Sequence, residues 1–302
     1  MTCPACGGRA EPWLLAPGGE PSEDAMYELV RCGECGTAVT LGGDPTTSAY
    51  STGIYARRQP RFERLVSALQ RLALRLPRSA LARAAVRPGA KVLDVGAGTG
   101  RLVAYLRDLG YRAEGIDPSP RGEGVTQASI TEHTARDLDA VVMWHSLEHF
   151  PDPAAAITSV REMLRPGGVL VVAAPNIASL QAAFGGRAWF HLYLPRHRTH
   201  FTPAGIRALM AHAAIQPERT YHLVPEHNLH GMWFAMLTRL GMTPGFPFHL
   251  LKRNVRARPL DMGLLLVAGP LLLLPALALE LLATALRRGG TVVVVGRIQG
   301  SA

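Results

Sequence analysis

Charged side chains are scarce in this sequence of 302 residues. Asp, Glu, Lys and Arg together make up 18% of it, whereas hydrophobic residues make up 48%. This balance excludes an intrinsically disordered chain, which has few apolar residues and much charge. The length suits one large α/β domain with a small additional module.

The first residues lack the basic stretch and apolar run of a secretory signal peptide, so a cytoplasmic location is expected. Cysteine is also scarce, because the sequence contains only four. All four lie between Cys3 and Cys35. In a reducing compartment, such a cluster favours a metal site over a disulfide framework.

Acidic residues are outnumbered, with 23 Asp and Glu against 32 Lys and Arg, and the formal net charge is +9. A basic surface is compatible with nucleic acid, anionic lipid or an anionic substrate. It is equally compatible with arginine-rich codon usage that has no functional meaning. The sequence has no lysine-rich tract and no basic–aromatic repeat, which argues against nucleic acid as a partner.

Two CxxC pairs form the first motif of the chain: Cys3 with Cys6, and Cys32 with Cys35. Four thiolates match the tetrahedral preference of structural zinc and leave no position for a water molecule. We therefore predict a zinc ribbon over residues 1–41. The Zn²⁺ is expected to be structural, because so small a module has too little hydrophobic core to be stable without a metal or a cross-link. Residues 42–88 are predicted to be a linker and a helical cap.

A glycine-rich loop forms the second motif. Residues 91–95 (KVLDV) are typical of a buried parallel strand, and GAGTG at 96–100 leads directly into an amphipathic helix. Glycines let the backbone approach a ligand closely, and the helix N-terminus offers free N–H groups. The next predicted strand ends in Asp117, where an acidic residue can accept hydrogen bonds from a ribose. A dinucleotide site is disfavoured, since Arg101 breaks the GxGxxG spacing.

In this order, the motifs resemble the class I S-adenosylmethionine (SAM)-dependent methyltransferases. Within that class the chain is similar to the ubiquinone-biosynthesis O-methyltransferases and to enzymes of sugar and polyketide pathways. The resemblance implies an α/β domain over residues 89–302 with a doubly wound, seven-stranded, Rossmann-like sheet, and SAM as cofactor. The segments that carry it are VLDVGAGTG (92–100), GIDPSP (115–120), DAVVMWHSLEHFPDP (139–153), LRPGG (164–168) and PRHRTHFTP (195–203).

The resemblance also implies which residues hold the cofactor. Asp94 and the glycine-rich loop would hold the methionine and ribose portions, Asp117 would bind the ribose, and Ser129 with Ile130 would flank the adenine. The segment between Asp117 and Ser129 is short, so the helix usually found there is expected to be shortened. The predicted cofactor residues are Asp94, Gly96, Ala97, Gly98, Gly100, Asp117, Pro118, Ser129 and Ile130.

The segment His145-Ser-Leu-Glu148-His149 matches H-x-x-E-H, an inverted zinc-protease signature. That signature needs a helix to bring both histidines onto one face, whereas Pro151 and Pro153 follow here at once. We therefore predict a loop at the carboxyl edge of the sheet, where α/β proteins bind ligands. By the resemblance, His145, Glu148 and His149 would contact substrate or a divalent cation such as Mg²⁺. Alternatively, Glu148 binds backbone amides beneath the cofactor.

Aromatic residues and histidines are dense in residues 177–203, which suits a cap over a substrate pocket. Histidine has the near-neutral pKa that a base for an oxygen acceptor needs. His149, His197 and His200 are the candidate catalytic residues, although each could instead be structural. The sixth strand is predicted near residues 219–224 and the seventh at 291–297.

A hydrophobic insertion of about residues 229–288 separates those two strands. Residues 262–279 carry no charge and reach the lower limit for a membrane span, although Pro270 and Pro275 interrupt them. Because basic residues flank both ends and the chain must return to the sheet, a monotopic hairpin or a pair of interfacial helices is expected. Burial in an oligomer interface is the alternative.

Together these features predict a methyltransferase at the inner face of the cytoplasmic membrane. Its acceptor would be a small lipophilic, lipid-linked, sugar or natural-product molecule, methylated at oxygen. Two alternatives stay open: a zinc-ribbon RNA methyltransferase, and a non-catalytic, membrane-associated assembly module on a methyltransferase fold.

Overall fold

The N-terminal module is an antiparallel sheet in this computed structural model, which describes residues 1–20, 25–43, 63–120, 122–253 and 255–299. Strands β1 (Ala10–Pro17), β2 (Met26–Cys32) and β3 (Ala38–Leu41) pair in sequence order. Two CxxC turns, one before β1 and one between β2 and β3, bring the four cysteines to the same end of this sheet.

Two helices, α1 (Glu63–Ala73) and α2 (Arg75–Arg83), lead to the main sheet. Residues 44–62, which include most of the linker predicted at 42–60, lie outside the described residues. The main sheet begins with β4 (Lys91–Val95), which α3 (Arg101–Asp108) connects to β5 (Arg112–Asp117). The described residues between β5 and β6 (Val125–Gln127) contain no helix, in line with the short segment expected there.

The central strands of this sheet are β7 (Leu138–Trp144) and β8 (Leu164–Pro175), connected by α4 (Pro153–Met163). The apolar run of β8 is buried on both faces, as a central parallel strand requires. Asp152 caps α4, because its carboxylate accepts a hydrogen bond of 2.9 Å from the N–H of Ala155.

The rest of the chain alternates short elements with one long helix. After α5 (Leu180–Gly185) come the two-residue strand β9 (Thr199–His200), α6 (Pro203–His212) and β10 (Ile215–Tyr221). Helices α7 (Pro225–Arg239), α8 (Phe246–Leu251) and α9 (Pro259–Ala285) then precede the last strand, β11 (Thr291–Ile298).

The main sheet has seven strands in the order β6-β5-β4-β7-β8-β11-β10. Its first five strands are parallel, and β11 runs antiparallel to both of its neighbours. This confirms the predicted doubly wound, seven-stranded α/β sheet. The parallel strands bring the loops after β4, β5 and β7 to one carboxyl edge, where ligands bind in open sheets.

Strand β10 begins at Ile215, earlier than the predicted sixth strand near 219–224. The reason is that Ala214 has a φ of +57°, which ends α6 and turns the chain straight into the sheet. The strand ends at Tyr221, three residues before the predicted end, and α7 begins at Pro225.

The insertion differs from the expected hairpin, because α9 is a single helix of 27 residues that contains both Pro270 and Pro275. Each proline removes one backbone donor, but the surrounding leucine and alanine favour helix strongly. This helix is long and apolar enough to cross a membrane, and 11% of its most apolar window is buried.

Two buried acids fix α9 to the rest of the molecule. Asp261 accepts hydrogen bonds of 2.8 and 2.9 Å from the backbone N–H and hydroxyl of Thr243. Near the other end, Glu280 accepts bonds from Gln181 Nε2 at 3.0 Å and from the N–H of Gly290 at 3.2 Å. The helix is therefore docked, while most of its leucines face outward.

The ribbon shares its sheet with the second module. Strand β9 pairs with β3, with Ala38 opposite His200 and Val39 opposite Thr199. Cys3 and Cys32 also belong to the same apolar cluster as Phe201 of the second module. The domain limits at residues 41 and 88 stay predictions, and this pairing crosses the first of them.

Candidate active site

The glycine-rich loop between β4 and α3 is held by the neighbouring strand. The carbonyl of Ile116 accepts hydrogen bonds from Gly96 N at 2.9 Å and Ala97 N at 3.0 Å. Gly96 has a φ of +80°, and a Cβ atom there would come within 2.5 Å of the Ser146 side chain. Only glycine fits this position, because the loops after β4 and β7 touch here.

Asp117 at the end of β5 is bonded to the same loop. One of its carboxylate oxygens accepts the N–H of Gly98 at 2.9 Å, and the other accepts the N–H of Ser119 at 2.8 Å. These bonds fix the carboxylate and leave lone pairs for a ribose, as the resemblance implies. Pro118 lies directly beside it, at the end of the strand.

A cavity of about 270 Å³ lies above the loop. Of the predicted cofactor residues, Asp94, Gly96 and Ala97 line it. Ile130, in contrast, is buried in the core at 4% exposure, and the backbone N–H of Ser129 donates to Glu132. The assignment of Ser129 and Ile130 to the adenine, like that of Gly100, stays a prediction.

The sequence analysis did not identify several residues of the cavity wall. Trp144 closes one side from the end of β7, and Gln70 lies on α1. Leu74 and Pro77 also line it, so helices α1 and α2 cover the cavity. Their amphipathic pattern predicted a helical cap, but a pattern of this kind does not show which face meets a ligand.

Asp94 is a buried carboxyl at the floor of this cavity. Burial raises its pKa to about 7, with a further contribution from the negative charge of Asp117. A buried carboxyl with a raised pKa favours a cationic ligand, because a nearby positive charge stabilises the ionised form of the carboxyl.

The H-x-x-E-H segment lies in the loop after β7, next to the cavity wall. His145 has a φ of +53°, and residues Leu147–His149 form a single 3₁₀ turn. The segment is thus a loop, as predicted, and Pro151 and Pro153 follow it. Nδ1 of His145 lies 3.4 Å from Oε1 of Glu148, whose side chain is 2% exposed. Among the described residues, no well-aligned hydrogen bond reaches either oxygen of Glu148.

His149 and His197 pack edge to face, with ring centroids 4.7 Å apart. Nδ1 of His149 bonds the carbonyl of Arg196 at 2.9 Å, and Nδ1 of His197 bonds the carbonyl of His191 at 2.8 Å. A carbonyl only accepts, so each ring carries its proton on Nδ1 and a lone pair on Nε2. One ligand atom each of Glu148, His149 and His197 lies within 4.8 Å of the others.

Charge in this cluster is concentrated on Glu148. Burial by itself would raise the pKa of its carboxyl, but His145, followed by His197 and His149, lowers the pKa to about 2. Burial also lowers the pKa of His149 and His197, so both rings are neutral at neutral pH.

The structure brings the three candidate catalytic histidines together. Burial lowers the pKa of His200 to about 4, and its Nε2 lies 2.9 Å from the hydroxyl of Thr40. His149 and His197 are bonded to backbone carbonyls. All three assignments stay predictions, and the geometry favours positioning roles for them.

The four cysteines form a second cluster in the ribbon. Sγ of Cys3 lies 3.6 Å from that of Cys35, and Sγ of Cys6 lies 3.5 Å from that of Cys32. Disulfides require about 2.05 Å, whereas a tetrahedral zinc ion with bonds of about 2.3 Å holds sulfurs about 3.8 Å apart. The donor set and spacing fit structural Zn²⁺.

The thiols of this cluster differ in pKa. Burial raises the pKa of Cys3. At Cys32 burial acts in the same sense, but hydrogen bonds from the backbone N–H groups of Cys35 and Glu34 lower the pKa to about 7. One thiolate is therefore available near neutral pH to bind a first metal ion.

Comparison with known proteins also identifies methyltransferases as the relatives of this chain. Residues 56–214, more than half of the chain, match a family described as a methyltransferase domain. Ubiquinone biosynthesis O-methyltransferases of Cereibacter sphaeroides and Xanthomonas oryzae are 32% identical over 152 and 153 residues. These matches cover 43% of this chain and 61% and 64% of the relatives, which is less than two thirds of their length.

A solved structure from Galdieria sulphuraria, a proposed sarcosine dimethylglycine methyltransferase, has a TM-score of 0.50. Its sequence is 18% identical, and the likeness covers 78% of this chain and 88% of that one. At this identity the likeness concerns the fold alone.

The strand order, the antiparallel last strand and the glycine-rich loop at the carboxyl edge define a class I SAM-dependent methyltransferase fold. With the match over residues 56–214, the chain belongs to the methyltransferase-domain family.

The state of Asp94 gives a pH-dependent prediction for Asp94→Asn. The folded-state pKa of about 7 lies above the ordinary value near 4. The folded protein thus retains a proton that the unfolded chain releases, and the carboxyl lowers stability as pH rises from about 4 to 7. At pH 8 the variant should be more stable than the parent by about 1–4 kcal/mol, and at pH 4 the two should be equal.

Urea unfolding at a series of pH values measures this difference. Asp108→Asn is the matched control, since Asp108 is exposed on α3. The same Asp94→Asn change should weaken SAM binding at pH 8 by about tenfold or more. A pH-independent stability difference would show that Asp94 is not a buried acid.

Proposed function

We propose that this protein transfers the methyl group of SAM to an acceptor bound at the carboxyl edge of the sheet. The observation that carries this proposal is the cavity over the glycine-rich loop, with the buried Asp94 at its floor. SAM is cationic at its sulfonium and amino groups, which suits a carboxyl whose pKa burial has raised.

Calorimetry with SAM and S-adenosylhomocysteine tests cofactor binding. The parent should bind both, and Asp117→Ala should reduce affinity by about tenfold to a hundredfold, because a charged hydrogen bond contributes about 1.5–3 kcal/mol. Glu114→Ala is the control, since Glu114 is exposed on the same strand β5. Failure of the parent to bind either molecule would contradict the proposed function.

The acceptor atom that we propose is oxygen, as in the two ubiquinone biosynthesis O-methyltransferases that this chain resembles. Methyl transfer is an in-line displacement, so the protein's main task is to align the acceptor oxygen with the methyl carbon. The oxygen–carbon bond forms while the carbon–sulfur bond of SAM breaks, and the hydroxyl proton must be removed.

His145 is the group that we propose for this proton. It adjoins Trp144 in the cavity wall, and its side chain is 17% exposed. Nδ1 faces the Glu148 carboxylate and Nε2 is buried. An acceptor hydroxyl would therefore have to displace the side chains that cover Nε2 before this nitrogen takes the proton, and the buried negative charge would then stabilise the resulting imidazolium. Glu148 thus orients and stabilises the base without itself taking the proton.

His145→Asn should lower the rate of methyl transfer by about 10²–10³-fold, the usual contribution of a general base. Transfer of radiolabel from methyl-labelled SAM into a bacterial lipid extract or an aqueous metabolite extract gives the assay. The SAM dissociation constant should not change. His212→Asn, at the exposed end of α6, is the control. A fully active His145→Asn variant would disprove the role of the base.

A divalent cation in the same loop would be held by Glu148, His149 and His197. Mg²⁺ prefers an octahedron of oxygen ligands, and two imidazoles with one carboxylate suit Zn²⁺, Mn²⁺ or Fe²⁺ better. Backbone carbonyls that accept from Nδ1, as at both histidines here, commonly orient metal-bound imidazoles. When bound, such an ion would polarise an acceptor oxygen.

We further propose that α9 rests on the inner face of the cytoplasmic membrane and that the acceptor is lipophilic or lipid-linked. An apolar surface of this extent is rare on soluble monomers and marks an interaction site. Lys252 and Arg253 precede the helix and Arg287 and Arg288 follow it, where they can meet anionic headgroups. The exposed apolar residues are Leu260, Leu266, Val267, Leu271, Leu273, Leu274, Leu277, Leu281 and Leu282.

Vesicle flotation tests this contact. The parent should bind phosphatidylglycerol vesicles, and the double variant Leu271→Glu with Leu274→Glu should bind at least tenfold more weakly, because both side chains are more than 70% exposed. Leu69→Glu with Leu72→Glu is the matched control, since these two leucines of α1 are also exposed. A parent that forms stable dimers and ignores vesicles would instead support an oligomer interface.

A further inference from the structure

Residues 195–202, which we call the histidine segment, lie between the ribbon and the loop after β7. On the ribbon side, Thr40 N donates to Arg198 O at 2.9 Å, in register with the β3–β9 pairing. On the other side, Arg198 N donates to Glu148 O at 2.8 Å. The segment is thus bonded to both modules through its backbone.

The hydroxyl of Thr40 makes two contacts with the histidine segment. It donates to the carbonyl of His197 at 2.9 Å and lies 2.9 Å from Nε2 of His200. A hydroxyl has one proton. Since the carbonyl takes that proton, the hydroxyl accepts from Nε2–H of His200. Burial lowers the pKa of His200 to about 4, so the ring is neutral at neutral pH and is the Nε2–H tautomer.

The metal-binding end of the ribbon is bonded to the same segment. The hydroxyl of Thr202 donates to the carbonyl of Cys35 at 2.6 Å. Its oxygen also accepts the N–H of Gly205, so this one side chain caps α6 and binds the backbone of a cysteine ligand. Movement of the Cys35 turn therefore moves the end of the histidine segment.

From these contacts we infer that the metal-loaded ribbon positions the histidine cluster of the acceptor site, with Thr40 as the positioning residue. Thr40 fixes the tautomer of His200 and the path of the backbone at His197. His197 in turn packs against His149, beside Glu148. The part that concerns the acceptor rests on the proposed function, whereas the part that concerns histidine geometry does not.

Nitrogen NMR of ¹⁵N-histidine-labelled protein tests the tautomer directly. The parent should show His200 protonated at Nε2, and Thr40→Val, which keeps the shape but removes the hydroxyl, should abolish that preference. Thr40→Ser should restore it. Thr158→Val, on the exposed face of α4, should leave the spectrum unchanged. A His200 resonance unaffected by Thr40→Val would overturn the inference.

Hydrogen exchange then tests the dependence on metal. Chelation of zinc from the full-length protein should increase exchange in residues 196–202 as well as in the ribbon, while calorimetry should still detect SAM binding. Faster exchange confined to residues 1–41 would overturn the positioning role. Neither measurement requires turnover, so a failure of the proposed methyl transfer remains distinguishable from a failure of this inference.

In the methyl-transfer assay, Thr40→Val should lower turnover by about tenfold, which corresponds to the roughly 1.4 kcal/mol of one hydrogen bond. Zinc content and SAM affinity should equal those of the parent, and Thr40→Ser should recover the rate. Equal turnover of Thr40→Val and the parent would show that the ribbon does not position the acceptor site.

Discussion

The contact between Gly96 and Ser146 is the constraint on which the rest of the site depends. Adjacent parallel strands β4 and β7 end at the same edge of the sheet, and their loops meet with no space for a side chain at position 96. This closeness puts the cofactor loop next to the H-x-x-E-H segment. The segment that matches a zinc-protease signature in the sequence is therefore, in the fold, a loop that lies against the glycine-rich loop.

Burial of a carboxylate beside these loops determines the state of the surrounding histidines. An ionised Glu148 needs a compensating charge, and low solvation makes a second and third buried charge costly. Burial lowers the pKa of His149 and His197 and keeps both rings neutral, while the backbone carbonyls that accept from Nδ1–H fix their tautomers. His145, whose side chain is 17% exposed, lies with Nδ1 3.4 Å from Oε1 of Glu148.

The sheet and the ribbon cysteines could be predicted from the sequence because their signals are local. An apolar run before a glycine-rich loop and Asp152 before Pro153 each specify structure within a few residues. The tautomers could not be predicted, since the carbonyl that fixes His149 belongs to Arg196, far along the chain. Nor could the β3–β9 pairing, because a two-residue strand has no periodicity. The course of α9 through two prolines was missed for a different reason, since helix propensity outweighed two lost hydrogen bonds.

Helix α7 connects the exposed leucines to the histidines. On one side, Trp233 Nε1 donates to the carbonyl of Gly269 in α9 at 2.8 Å. On the other, Phe234 packs edge to face on Phe190 at 5.4 Å, directly before His191, whose carbonyl fixes His197. An acceptor anchored in a bilayer against α9 would meet these aromatic rings before the polar cluster. Its apolar part would stay in contact with apolar surface, while its hydroxyl would approach the cluster of Glu148, His149 and His197. Helix α7 therefore contacts both the helix that carries the apolar surface and the aromatic rings beside the histidine cluster.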